Sequence, residues 1–163
     1  MSDLELRVLD PVVDTDLYRE AYDWRPRHKP HVQPDRMSFE TFASDNPYYL
    51  TIGLFNGEMQ ALYFLREVEP GVFEAHFTSR LGISREALLA GATEVARQIL
   101  ANGGIEIHAW VTPRNRPLRS FLESLGFTEV CQESFPCASV SNGATLPDKP
   151  RNLRQFVKYV LKG

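Results

Sequence analysis

The segment VFEAHFTS, residues 72–79, sets Glu74 and His76 two positions apart in a β-rich run. Alternate side chains of an extended strand share a face. Val72, Glu74, His76 and Thr78 therefore fall on one side, and Phe73, Ala75 and Phe77 on the other. A carboxylate beside an imidazole can take up a proton, directly or through water. The plainer reading of the same alternation is a polar face turned to solvent or a loop. IEIHAWV, residues 105–111, offers a second set, with Glu106, His108 and Trp110 on one face. A lone strand histidine is more often packed or hydrogen-bonded than catalytic, and Trp110 reads most simply as a core or ligand-contacting aromatic.

Other reactive side chains give weaker signals. His28, His31, His76 and His108 have no metal-ligand spacing, so no metal is expected. Cys131 and Cys137 match no zinc pattern and make no disulfide scaffold. RPRHKPH, residues 25–31, is a basic patch able to attract an acidic group, although a stiff solvated loop explains it as well.

These residues need elements to hold them. LELRVL (4–9) alternates as a first strand, and DTDLYREAY follows as a short helix with Asp14 as its cap. MSFETFASDNP predicts a second short helix capped by Ser38 and stopped at Asn46-Pro47. YYLTIGLF and EMQALYFLREVE flank Asn56-Gly57, a strong hairpin signal, and Pro70-Gly71 turns the chain into VFEAHFTS. From Ser84 to Asn102, Leu88, Ala92, Val95 and Ile99 hold one face of a long amphipathic helix. After IEIHAWV comes NRPLRSFLESLGF, residues 115–127. Leu118, Phe121, Leu122 and Leu125 form its apolar stripe, Asn115 is a good N-cap, Pro117 tolerates the first turn, and Gly126 suits the C-terminal end. FTEVCQESF and LRQFVKYVL read as the last two strands, separated by the Pro/Ser/Asn/Gly-rich stretch 136–152.

A strand, a long helix and a strand in succession make a right-handed parallel crossover, and the hairpins are antiparallel. The expected fold is α/β (α+β): one domain over residues 1–163, with a mixed, mostly antiparallel sheet of about seven strands flanked by about four helices. The chain of 163 residues is long enough to bury a core without metals or disulfides. Its net charge of −3 argues against a general nucleic-acid binder. No apolar run approaches a membrane span, and the acidic, mixed start MSDLELRVLD does not read as a signal peptide. A soluble, cytoplasmic protein is expected.

The order of elements and the block from Glu74 to Phe127 resemble the GNAT acyltransferase superfamily. NRPLRSFLESLGF is similar to that family's Asn…Phe-Tyr-Glu-Lys-Leu-Gly-Phe signature, matched here by Asn115, Phe121, Glu123, Leu125, Gly126 and Phe127. The resemblance implies a β-bulge and a parallel central pair, VFEAHFTS and IEIHAWV, splayed toward their C-terminal ends. It implies acetyl-CoA as co-substrate in the splay, with Phe77, Thr78, Asn115, Leu118 and Phe121 along the pantetheine arm. The pyrophosphate would lie on Arg80, Leu81, Gly82, Ile83, Ser84 and Arg85, where a helix N-terminus offers unpaired N–H groups. Glu74 or His76 would serve as the base. The acceptor would be a primary amine on a small molecule or a protein, and a homodimer is a further option.

The sequence also departs from that pattern. The family's loop reads Gln/Arg-x-x-Gly-x-Gly/Ala. Arg80 matches, Ile83 and Arg85 replace small residues, and Gly82 comes one position early. Arg85 would either clamp phosphate or fill the site. Leu122 stands where many members have a tyrosine that protonates the leaving thiolate, leaving Ser120, Ser124 or Tyr63 as substitutes. These departures keep open an inactive acetyltransferase-like module. EAHFTSR also looks like acetyltransferase-fold proteins carried in phage genomes, which would admit a virion or host-directed role.

Overall fold

The computed structural model describes residues 3–24, 39, 49–136 and 153–163. In chain order the elements are β1 (Glu5–Leu9), α1 (Thr15–Asp23), β2 (Leu50–Asn56), β3 (Glu58–Glu69), β4 (Val72–Ser79), α2 (Arg85–Ala101), β5 (Glu106–Val111), α3 (Arg116–Ser124), β6 (Thr128–Pro136) and β7 (Leu153–Lys162). The predicted helix over MSFETFASDNP lies outside the described residues apart from Phe39, so three of the expected four helices are described. RPRHKPH and the stretch from Cys137 to Asn152 also lie outside them.

The strands form one seven-stranded sheet in the order β1-β2-β3-β4-β5-β7-β6. Every neighbouring pair is antiparallel except β4 and β5. The turns fall where glycine permits them: Gly57 (φ 73°) joins β2 to β3, and Gly71 (φ 76°) joins β3 to β4. The parallel ladder is short. Val72, Phe73 and Glu74 pair with Glu106, Ile107 and His108, and the pairing then ends. Beyond that rung the two strands part, as the splay predicts. The register shift of the β3–β4 hairpin lies between Glu67 and Glu69 on β3, at the turn end rather than beside the splay.

Helices α2 and α3 cover one face. Val95, Ile99, Leu122 and Phe127 pack there with Leu54, Tyr63, Ile107 and Val157. Tyr18 and Ala21 of α1 pack on the other face with Leu9, Leu62 and Phe64. Both later helices begin at the predicted caps: Ser84 Oγ accepts from the Ala87 amide at 3.0 Å, and Asn115 Oδ1 accepts from the Leu118 amide at 3.2 Å. Asp14 differs from expectation. It stands at the N-cap of α1, but its carboxylate accepts from the Asp10 amide at 2.9 Å instead of capping the helix.

One feature of α2 escaped the apolar pattern. Gly91 is buried in mid-helix, and a Cβ there would lie 2.5 Å from Tyr63 Oη and 2.9 Å from Leu54 Cδ2. The missing side chain lets α2 approach β2 and β3 closely. Tyr63 Oη donates to the Leu88 carbonyl at 2.8 Å and ties the sheet to the same turn.

Candidate functional site

The two faces of β4 carry different chemistry. Phe73, Ala75 and Phe77 point into the core beneath α2 and α3. Beside the splay lies an apolar cavity of about 60 Å³, lined by Tyr63, Ala75, Phe77, Ala92, Phe121 and Leu122 among others. The Phe77 and Phe121 rings meet with centroids 5.5 Å apart. Phe77 and Phe121, expected along the pantetheine arm, thus face each other where β4 leaves β5. Leu118 is partly buried against the same core.

The other face is polar and paired. His76 Nε2 lies 2.9 Å from Glu74 Oε1, and Arg66 of β3 approaches the same carboxylate at 3.9 Å. The His76 contact, with help from the nearby Arg66 and His108, holds the Glu74 carboxyl below the usual carboxylate range against the opposing effect of burial. His76 has about half its side chain exposed, whereas Glu74 is mostly covered. The Tyr49 ring stands edge-on to His76, with centroids 6.4 Å apart, and beneath the Arg66 guanidinium. On β5, His108 Nε2 sits 2.7 Å from Glu106 Oε2, which is the hydrogen-bonded role expected of a strand histidine. Lys158 of β7 stands over Trp110, with Nζ 5.3 Å from the ring centroid. No group of three or more potential metal ligands occurs among the described residues.

The loop from Arg80 to Ser84 makes a turn closed by the Ile83 amide on the Arg80 carbonyl at 3.3 Å. Gly82 has φ 86°, and a Cβ there would meet nothing within 4 Å. Its conformation, not space, selects glycine at this turn. Leu81 is exposed at the tip. Arg80 is committed elsewhere: its guanidinium pairs with Glu58 and, at 3.1 Å, with Glu20. Arg85 reaches across to α3, donating to Ser120 Oγ at 3.3 Å and Ser124 Oγ at 3.1 Å.

No protein-family model matches the chain, and no curated protein matches it. Solved structures do. The ribosomal-protein-S18-alanine N-acetyltransferase of Escherichia coli superposes with a TM-score of 0.70 at 21% identity, covering 98% of this chain and 93% of that one. A Bacillus subtilis acetyltransferase solved in complex with CoA gives 0.71 at 12% identity, covering 99% of both chains. Salmonella typhimurium yncA, solved with its cofactor acetyl-CoA, gives 0.62 at 16% identity, covering 98% of this chain and 93% of that one. The chain has the GNAT acetyltransferase fold.

Several α3 residues of the signature have local partners in the structure. Asn115 spends its side chain on the helix cap. Leu122 is buried in the cavity wall and has no proton to give. Of its proposed substitutes, Tyr63 is hydrogen-bonded to α2, and burial pushes its phenol well up. Ser120 and Ser124 are held by Arg85, and Ser124 also donates to the Ser120 carbonyl at 2.9 Å. The Tyr49 and Arg66 contacts are not legible in the sequence. Nothing in the spacing of the sequence shows that they meet Glu74 and His76.

Proposed function

We propose that the chain is an N-acetyltransferase that moves acetyl from acetyl-CoA directly to a primary amine. One observation carries the reading. The β4–β5 ladder stops at Glu74 and His108, opening the sheet between an apolar cavity on one side and the Glu74–His76 pair on the other. Unpaired strand edges suit the amides of a pantetheine arm, and the apolar cavity suits its methylene and acetyl groups. The Arg80–Ser84 turn and the first turn of α2 supply backbone N–H groups suited to a pyrophosphate.

Acetyl-CoA supplies the acetyl group as a thioester. Backbone N–H groups of β4 in the splay would polarise its carbonyl. The amine nitrogen bonds to the carbonyl carbon, and the C–S bond breaks with its electron pair leaving on sulfur. The proton lost from nitrogen passes to the exposed imidazole of His76, oriented by Glu74. A thiolate is a tolerable leaving group that water can protonate, so Leu122 does not forbid the reaction.

The test is binding first and turnover second. Acetyl-CoA is expected to raise the melting temperature, and a panel of small amines and peptide N-termini should then reveal acyl-dependent thiol release. Absence of both would overturn the reading. The second reading, a GNAT-fold binding module without turnover, is favoured by the engaged guanidinium groups of Arg80 and Arg85. It predicts neither effect, and a virion or host-directed role would fall under it.

A further inference from the structure

We propose that His108, held by Glu106, is a positioning residue for the Glu74–His76 base, and that the four side chains act as one titrating unit. The inference rests on the acetyltransferase reading for its catalytic part and on geometry alone for its pairing. Glu74 and His108 are register partners on the last rung of the parallel ladder, where the sheet opens. Each histidine meets the glutamate two residues before it on its own strand, through Nε2, at 2.9 Å on β4 and 2.7 Å on β5. An i, i+2 pair keeps both members on one face, and parallel register sets the two pairs side by side. Imidazoles and carboxylates then alternate across the seam as His76, Glu74, His108 and Glu106.

The two histidines are not equivalent. The His76 side chain is 48% exposed and His108 only 15%. The outer ring is open to an acceptor, and the inner one is fixed. Among the described residues, the other charged groups toward this array are Arg66 from β3 at Glu74, and Lys158 and Lys162 from β7 toward Glu106. The Tyr49 ring flanks His76, and Lys158 also covers Trp110. With Nε2 turned to Glu74, Nδ1 of His76 has no partner among the described residues and would take the amine proton, and the resulting imidazolium donates through Nε2 to that carboxylate.

His108 is the register partner of Glu74 on that last rung. A proton on His108 draws on the field of Glu74 and makes a second proton on His76 less favourable. His108 therefore acts on His76 through the Glu74 carboxylate. It does this without touching substrate.

The experiment follows the imidazole protons of the full chain by NMR across a pH titration, in wild type, His108→Asn and Glu106→Gln, with His76→Asn for assignment. Circular dichroism checks that each variant is folded. His108→Asn is expected to move the His76 ring-proton signals along the pH axis relative to wild type, and Glu106→Gln is expected to move those of His108. A His76 titration unmoved by His108→Asn would overturn the unit. In turnover assays the acid limb of kcat/KM should shift with the His76 titration in His108→Asn, while KM for acetyl-CoA stays the same. Coupled titration with an unmoved acid limb would overturn the positioning role. If wild type shows no turnover, the acetyltransferase reading and the positioning role both fall, and the NMR titration still decides the pairing.

Discussion

The two faces of strand β4 hold opposite kinds of side chain. On one, Phe73, Ala75 and Phe77 pack beneath α2 and α3, and the cavity beside the splay is apolar. On the other, Glu74 and His76 sit among Arg66, Tyr49, His108 and Glu106. The backbone between the faces is the same eight residues, VFEAHFTS. Their period of two separates an apolar slot from titratable groups by one strand's thickness, and the end of the parallel ladder joins the two compartments. On the proposed reading, an acyl donor on the apolar side would meet a proton acceptor on the polar side with neither fully immersed in the wrong surroundings.

The sharpest way to break that contrast is to remove chemistry from the polar face alone. Replacing Glu74 by Gln or His76 by Ala is expected to cut turnover by on the order of 10²–10⁴, with acetyl-CoA affinity nearly unchanged in a binding titration. The double variant should be little worse than the poorer single one, because the pair acts as a unit. Wild-type turnover in both single variants and the double would remove them from the mechanism.

The donor side is probed next at Arg85, which bridges α2 to Ser120 and Ser124. If it swings to a bound pyrophosphate, Arg85→Ala removes a charge-assisted contact worth about 1.5–3 kcal/mol, read by calorimetry as a ten- to hundredfold loss of acetyl-CoA affinity. If its bridge blocks the loop, Arg85→Gly with Ile83→Gly strengthens binding instead. The signs are opposite, so wild type and the two variants separate the cases.

Packing beneath the apolar face should affect stability without altering the base. A methyl at Gly91 would collide with Tyr63 Oη and Leu54. Gly91→Ala is therefore expected to cost about 1–3 kcal/mol, seen as a lower denaturant midpoint. An unchanged midpoint would mean that α2 can lift from the sheet freely.

The smallest effect is the pH dependence of stability. The Glu74 carboxyl is held below its ordinary value, first by His76. A carboxylate lowered on folding contributes stability above its unfolded value and loses it as pH falls through the folded one. Wild type should thus lose a component of stability in acid that Glu74→Gln lacks, measurable by comparing denaturation midpoints at neutral and acid pH. Parallel curves for the two proteins would show that the pair contributes nothing to folding.

Local chemistry made most of the elements readable. Asn56-Gly57 and Pro70-Gly71 mark turns because few other residues take the required backbone angles, and both strands of each hairpin end beside them. Ser84 and Asn115 announce helix starts because a side-chain oxygen can satisfy a first-turn amide, and each does so. A strand, helix and strand in succession leave little alternative to a parallel pair. The alternation in VFEAHFTS likewise puts Glu74 and His76 on one face without reference to any tertiary contact. Asp14 failed as a side-chain cap because Asp10, four residues away, offered its carboxylate a competing amide.

What tertiary structure decided lies between segments distant in the chain. Strand β7 enters between β5 and β6 although it comes last, a choice made by pairing energies rather than sequence order. Arg80 carries the residue type expected of a phosphate loop, yet Glu20 and Glu58 converge on it from α1 and β3. Gly91 looks like a weak point in a helix until Tyr63 and Leu54 are seen above it. His108 stands opposite Glu74 only because the parallel ladder has one register and ends on that rung. Periodicity along a chain fixes which residues share a face of one element. Register, strand order and the depth of packing depend on long-range contacts that have no period, and those placed the second histidine beside the first pair.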